Sequence, residues 1–218
     1  MKKLILFDLD NTLFDSRSFR KSVFDKIGNF YSKETTALKI AHICEEIYNE
    51  FIIEFGLFYP EMFSERLSKR IGKKVERNDI SKLIFDKRTF KDHFHEDVWS
   101  TLRTVSKIGE IGIFSQGDTR FQHAKLAHLD QLISKGRIHI TTNKRSKMIE
   151  VLQKYNTYKI FYVDDMLPYL YEAKKLMPNI RTVWIKRGRY AQNQKDIPDF
   201  KPDATITNLK EVIKMVAA

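Results

Sequence analysis

Six short apolar runs constrain this chain more than any other feature. They are LILFD at 4–8, IGIFS at 111–115, RIHIT at 137–141, KIFYVDD at 159–165, RTVWI at 181–185 and a weaker ATI at 204–206. Each has the length of a strand. Each is almost continuously apolar and rich in Ile, Val and aromatic residues, the pattern of a strand covered on both faces. Helical spacing fills the gaps between them: 118–133 after the second run, 144–155 after the third and 168–177 after the fourth. In 144–155, Met148, Val151, Leu152 and Tyr155 fall on one helical stripe. Strand and helix in alternation predict βαβ units, and so an α/β fold with a Rossmann-like, doubly wound parallel sheet.

Residues 16–95 break the alternation. Phe19, Val23, Ile27 and Phe30 repeat at helical intervals, as do Ile40, Ile43, Ile47 and Phe51. Two shorter helices are expected at 60–72 and 78–86, the second capped by Asn78 or Asp79. An all-helical insert of this size is a second unit and not a crossover. The expected division is a core of 1–15 and 96–218, with 16–95 as a helical cap over the carboxyl edge of the sheet. Phe19, Phe30, Phe51, Phe55, Phe58 and Tyr59 are assigned mostly to the interior of that bundle.

The 218 residues, 42% of them hydrophobic, suffice for one core with an inserted subdomain. No apolar run approaches the roughly 18 residues that span a bilayer. The opening MKKLILF stops at Asp8, short of a signal-peptide core, so a cytoplasmic location is expected. The single Cys44 fits a reducing compartment and reads as a small buried apolar residue. The net charge of +11 is spread along the chain, with modest clusters at 69–74 and 186–189. A solvated surface and attraction of anionic small molecules explain it as well as nucleic acid does, and no nucleic-acid-binding signature accompanies it. His93 and His95 alternate with acids in DHFHED, a spacing open to zinc, but an exposed linker is the better reading.

The polar residues that matter sit at the carboxyl ends of the apolar runs, where open parallel sheets bind ligands. Asp8 and Asp10 close the first run, Ser115 and Gln116 the second, and Asp164 and Asp165 the fourth; NKRSK at 143–147 follows the third and opens a helix. If the first and fourth strands are neighbours, their tips lie about 4.8 Å apart. Asp8 and Asp165 would then share a hard divalent cation, for which Mg²⁺ is suited. A +2 charge would hold together carboxylates that otherwise repel.

These residues resemble the haloacid dehalogenase-like superfamily. Its D-x-D-x-T motif stands here as DLDNT at 8–12. Its strand-ending Ser or Thr is Ser115, its lysine lies near a helix start, and its acidic pair is FYVDD at 161–165. YEAKK, TVWIKRG and PDATITNLKEV look like the superfamily's tail. Singly each has a duller reading: an Asx-rich turn for DLDNT, a helix cap for Ser115 or Asp164.

The resemblance implies a catalytic set. Asp8 would be the nucleophile and Asp10 the general acid and base, its backbone carbonyl also ligating Mg²⁺. Thr12, Ser115, Gln116 and a lysine would serve the phosphoryl group. Asp165 would ligate the metal and Asp164 orient its waters. The lysine is Lys144, because Met148 and Val151 follow at the superfamily's usual offsets, with Lys147 as the alternative. Many relatives carry an acid four residues past the metal-binding aspartate; here that position is Tyr169. Dehalogenases of this group generally lack an acid at the position of Asp10. The implied activity is therefore a Mg²⁺-dependent phosphatase acting on a small phosphorylated metabolite through an aspartyl-phosphate. A phosphomutase, a nucleic-acid end phosphatase and, in another class, a non-catalytic binding module are the alternatives.

Overall fold

A computed structural model describes residues 1–32, 34–72 and 74–217. In chain order the elements are β1 (Lys3–Phe7), α1 (Ser16–Tyr31), α2 (Glu34–Phe55), α3 (Pro60–Ile71), α4 (Arg77–Ile84), α5 (Lys87–Lys91) and α6 (Val98–Val105). They continue with β2 (Glu110–Gln116), α7 (Thr119–Leu126), β3 (Ile138–Thr141), α8 (Lys144–Gln153), β4 (Lys159–Asp164), α9 (Leu167–Leu176), β5 (Arg181–Ile185), α10 (Gly188–Asn193), β6 (Ala204–Ile206) and α11 (Glu211–Ala217). Lys73, in the basic run 69–74, lies outside the described residues.

Two compact units result. One comprises Met1–Asp15, Phe94–Gln116 and Leu126–Ala218; the other comprises Ser16–His93 and Gly117–Lys125. The first is built on a six-stranded sheet in the order β3-β2-β1-β4-β5-β6, every pairing parallel. β1 is central, and all but its first residue are buried. Side chains alternate across a strand. Leu4 and Leu6 therefore share one face with Phe114 and Tyr162, covered by Met148, Val151 and Leu152 of α8 and Leu167, Leu170 and Ala173 of α9. Ile5, Phe7, Ile111 and Ile113 fall on the opposite face and are buried as well. α6 lies against β2, and α11 packs on α6.

In the second unit α1 packs along α2. A Cβ at Gly28 would meet the Ala37 carbonyl oxygen at 2.3 Å, so the two backbones approach too closely there for any other residue. Phe121 of α7 is an aromatic hub, its ring 5.9 Å from those of Phe19, Phe58, Phe85 and Phe90. These contacts explain why 117–125, given to the core on periodicity, groups with the helices.

Other expectations change in detail. The helix expected over 118–133 stops at Leu126, and Leu129 and Ile133 are buried from turns instead. The residue before α4 is Glu76, not Asn78 or Asp79, and its side chain makes no capping bond. Phe19 and Phe51 are buried, but Phe30 and Phe55 are exposed, and Phe58 and Tyr59 are half-buried. Cys44 is fully buried, and burial pushes its thiol up to about 12, which keeps it a neutral packing group.

Candidate active site

The register of the sheet assembles the site. Phe7 lies opposite Ile113 on one side and Val163 on the other. The Asp8 amide then donates to the Val163 carbonyl at 2.9 Å, carrying the ladder one residue past β1. Asp8 is thereby brought beside Asp164 and Asp165, and carboxylate oxygens of the three lie within 4.8 Å of one another. Beyond Asp8 the chain turns tightly: the amides of Leu13 and Phe14 both donate to the Leu9 carbonyl at 2.9 Å, and Asn11 takes the left-handed conformation at φ 59°. Asp10 is half-buried on this loop, and its side chain is not one of the three clustered carboxylates.

Lys144 opens α8, whose N-cap Asn143 accepts from the Ser146 amide at 3.1 Å. Its Nζ donates to Asp8 Oδ1 and to Asp164 Oδ2, both at 2.7 Å, and the side chain is only 1% exposed. Lys147, about a turn further along, is exposed and pairs with Glu150. The structure thus brings Lys144 into the cluster and leaves Lys147 outside it. The Phe114, Tyr162 and Tyr169 rings stand 5.3, 5.5 and 5.0 Å from Nζ. This aromatic wall supports an ammonium by its electron-rich faces.

The two neighbouring aspartates differ in what they have left to give. Asp164 Oδ2 accepts from Lys144 and from the Tyr162 hydroxyl at 2.6 Å, while Oδ1 accepts from the Met166 amide at 2.8 Å. Both of its oxygens have partners. Asp165 is anchored by its carbonyl, which accepts from Trp184 Nε1 at 3.0 Å and Gln194 Nε2 at 2.7 Å, yet its Oδ2 is buried without a partner. A buried carboxylate oxygen left unpaired costs free energy. Ionising all three carboxyls against one ammonium would put two uncompensated negative charges in a low-dielectric site.

The titration behaviour follows. Burial, then the nearness of Asp164 and Asp10, pushes Asp8 up to about 7 even though Lys144 draws it down. Burial, then Asp164 and Asp8, raises Asp165 well above the usual carboxylate range. Burial alone would lower Lys144, but Asp164 and Asp8 outweigh it and hold the ammonium charged. An orphaned acid oxygen, and acids whose ionisation is opposed by burial and by one another, fit a hard divalent cation. Asp8, Asp164 and Asp165 are the side chains that could hold one, and of these Asp165 has the oxygen without a partner.

The remaining expected residues lie around this cluster. Ser115 is fully buried at the end of β2. Gln116 Oε1 accepts from the Lys144 amide and the Tyr169 hydroxyl, both at 3.0 Å. Thr12 is buried, and its hydroxyl has no partner while its carbonyl accepts from Arg187 Nη1 at 2.9 Å. The two histidines take no part in the metal-competent group found among the described residues: His93 Nδ1 lies 2.6 Å from the Thr89 carbonyl, and the His95 amide donates to Leu13.

Tyr162 and Arg187 went unread as site residues, and Tyr169 only as a missing acid. The two-residue period of β4 puts Tyr162 on the face of Asp164, a signal that was present. Arg187 and its partner Asp97 are 90 positions apart, and nothing local announces that pair.

No family model matches the sequence, and no curated protein matches it. Solved structures do. A chain assigned to the haloacid dehalogenase-like hydrolases, from Burkholderia xenovorans LB400, aligns with a TM-score of 0.80 at 24% identity, over 99% of this chain and 97% of that one. A defluorinating L-2-haloacid dehalogenase aligns with a TM-score of 0.72 at 14% identity, over 100% and 96%. The chain has the haloacid dehalogenase-like fold. A third structure of this fold, a hydrolase of the superfamily from Bacillus subtilis bound to magnesium, aligns with a TM-score of 0.62 at 13% identity, over 100% and 99%. In the haloacid dehalogenase-like fold of this chain, the strand-tip acids form one buried group across β1 and β4.

Proposed function

We propose that the protein is a phosphatase that hydrolyses a small phosphorylated molecule through an aspartyl-phosphate on Asp8, with Mg²⁺ as its cofactor. The observation carrying this reading is the buried group of Asp8, Asp165, Asp164 and Lys144 beside a loop that also bears Asp10. Asp8 and Asp165 would hold the cation, with the Asp10 carbonyl as a further oxygen. Bound there, the cation supplies positive charge against the phosphoryl oxygens and against the acids themselves.

The chain's own residues do the rest. Asp8 keeps 10% of its side chain exposed, against 1% for Lys144 and none for Asp164, so it is the member of the group open to a substrate. Its carboxylate attacks phosphorus, and the bond from phosphorus to the leaving oxygen breaks. Asp10 gives that oxygen its proton, then takes a proton from the water that attacks the aspartyl-phosphate and returns Asp8. Lys144, fixed by two carboxylates and three rings, offsets charge on the transferring phosphoryl oxygens. Ser115, Gln116 and Thr12 orient the group.

A second reading is favoured by the dehalogenases among the structural neighbours. The same Asp8 would attack an sp³ carbon and expel halide. A halide leaves without a proton, which gives Asp10 no task, whereas an alkoxide needs one; this argues for the phosphate ester. The test is a panel of phosphorylated metabolites and 2-haloacids, assayed with Mg²⁺ and with chelator. Phosphate release that needs Mg²⁺ and disappears in Asp8→Asn is expected. Halide release undiminished by chelator would instead establish the dehalogenase, and undiminished phosphate release in Asp8→Asn would remove the aspartyl-phosphate.

A further inference from the structure

Arg187 lies between β5 and α10, largely buried, with no assigned role. Its Nη1 donates to the Thr12 carbonyl at 2.9 Å, on the loop that carries Asp8 and Asp10. Its Nη2 donates to Asp97 Oδ2 at the start of α6, and that same oxygen accepts the Leu209 amide at 2.7 Å. A guanidinium presents several donors in a rigid plane, so it can hold a carboxylate and a carbonyl at once. The neighbouring residue confirms how near the loop lies: a Cβ at Gly188 would stand 3.9 Å from the Asn11 side chain. Meanwhile the Thr12 hydroxyl, the obvious brace for such a loop, has no partner. The loop's turn is closed within itself by Asn11, Leu13 and Phe14 amides, which fixes its shape but not its placement.

We propose that Arg187 is a positioning residue for this loop. Anchored by its pairing with Asp97, it pulls the Thr12 carbonyl toward β5 and so sets where the carboxyl of Asp10 stands relative to that of Asp8. The claim rests on the reading of Asp8 and Asp10 given above. Displacements of about 1 Å in a reacting group cost rate steeply. Lysine would keep the charge and the pairing with Asp97 but has no fork to hold the carbonyl as well.

Arg187→Lys and Arg187→Gln are compared with the unsubstituted protein on p-nitrophenyl phosphate with Mg²⁺. In parallel, amide hydrogen exchange is followed at Asn11, Leu13 and Phe14. Arg187→Lys is expected to melt close to the parent, to lose about tenfold or more in kcat and to keep KM within about threefold, since Lys144, Ser115 and Gln116 are untouched. Exchange at the three loop amides should accelerate while that of β1 and β4 does not. Unchanged kcat and unchanged loop exchange in folded Arg187→Lys would overturn the proposal. So would faster exchange spread evenly over the sheet with kcat intact, the pattern of a purely structural ion pair. Should Arg187→Gln fail to fold, Arg187→Lys decides alone. Should the parent hydrolyse no phosphate ester, the catalytic reading fails while the exchange pattern still decides whether Arg187 holds the loop.

Discussion

Two lysines three residues apart in one helix have opposite fates, and the difference lies in what their charges meet. Lys144 is enclosed with two carboxylates, whereas Lys147 stands in water beside Glu150. Removing one partner of a buried ionic group strands the others, at a cost of about 3–5 kcal/mol. Lys144→Ala should therefore lower stability on that scale in a denaturant titration and reduce phosphatase turnover by at least about 100-fold. Lys147→Ala should stay within about 0.5 kcal/mol of the parent, because an exposed pair contributes little. Equal losses in the two variants would contradict the assignment.

A second residue gives a pH test. Asp203 is held down to about 2 from 3.8: burial opposes this, but bonds from the Thr182 amide and hydroxyl, Lys174 and Arg181 prevail. A carboxyl with a depressed folded pKa contributes stability above its unfolded pKa and loses it as pH falls through the folded one. Asp203→Asn should cost about 1 kcal/mol at neutral pH, discounted for the residue's exposure. The gap between parent and variant should narrow below about pH 4 and close near pH 2, as read by denaturant unfolding across that range. A gap independent of pH would mean that charge is not the cause.

At the scale of elements, Gly28 shows two rules in conflict. Replacing glycine by alanine inside a helix normally gains about 1 kcal/mol. Here a Cβ would overlap the Ala37 carbonyl at 2.3 Å, and backbone cannot yield as a side chain can. The clash wins, so Gly28→Ala should destabilise by about 1–3 kcal/mol in thermal or denaturant melts. A stabilised variant would mean that α1 and α2 are further apart.

The strands were legible to within a residue or two because continuous apolar runs bounded by polar residues have few other solutions. Helical spacing carries less. The stripe over 118–133 does mark buried positions, but Leu129 and Ile133 are buried from turns after α7 has ended. The stripe that includes Phe30 marks an exposed ring, since the spacing of apolar residues does not say how wide a helix's covered face is.

At the scale of the molecule, a cation held by the acid cluster would make stability depend on its concentration. A ligand that binds only the folded state stabilises by about 2.7 kcal/mol at a hundred times its dissociation constant. Mg²⁺ should raise the melting temperature in a concentration-dependent way, and Asp165→Asn should abolish most of that shift. An equal shift in Asp165→Asn would move the cation elsewhere. This measurement needs no substrate, and so it stands apart from the question of which ester is cleaved.

The order of strand and helix and the positions of the acids at strand tips were determined by the sequence, because each depends on residues close together in the chain; the family resemblance favoured Lys144 and left Lys147 open, and the pairing of Lys144 with Asp8 and Asp164 spans 136 and 20 positions. Tertiary structure alone decided three things. It left Asp165 Oδ2 buried without a partner while both oxygens of Asp164 are bonded, one of them to Lys144 from a distant element. It surrounded the lysine with three rings. It also joined Arg187 to Asp97 and Thr12 across 90 and 175 positions. A hydrogen bond reads distance in space, and sequence separation carries no measure of that until the sheet has set its register.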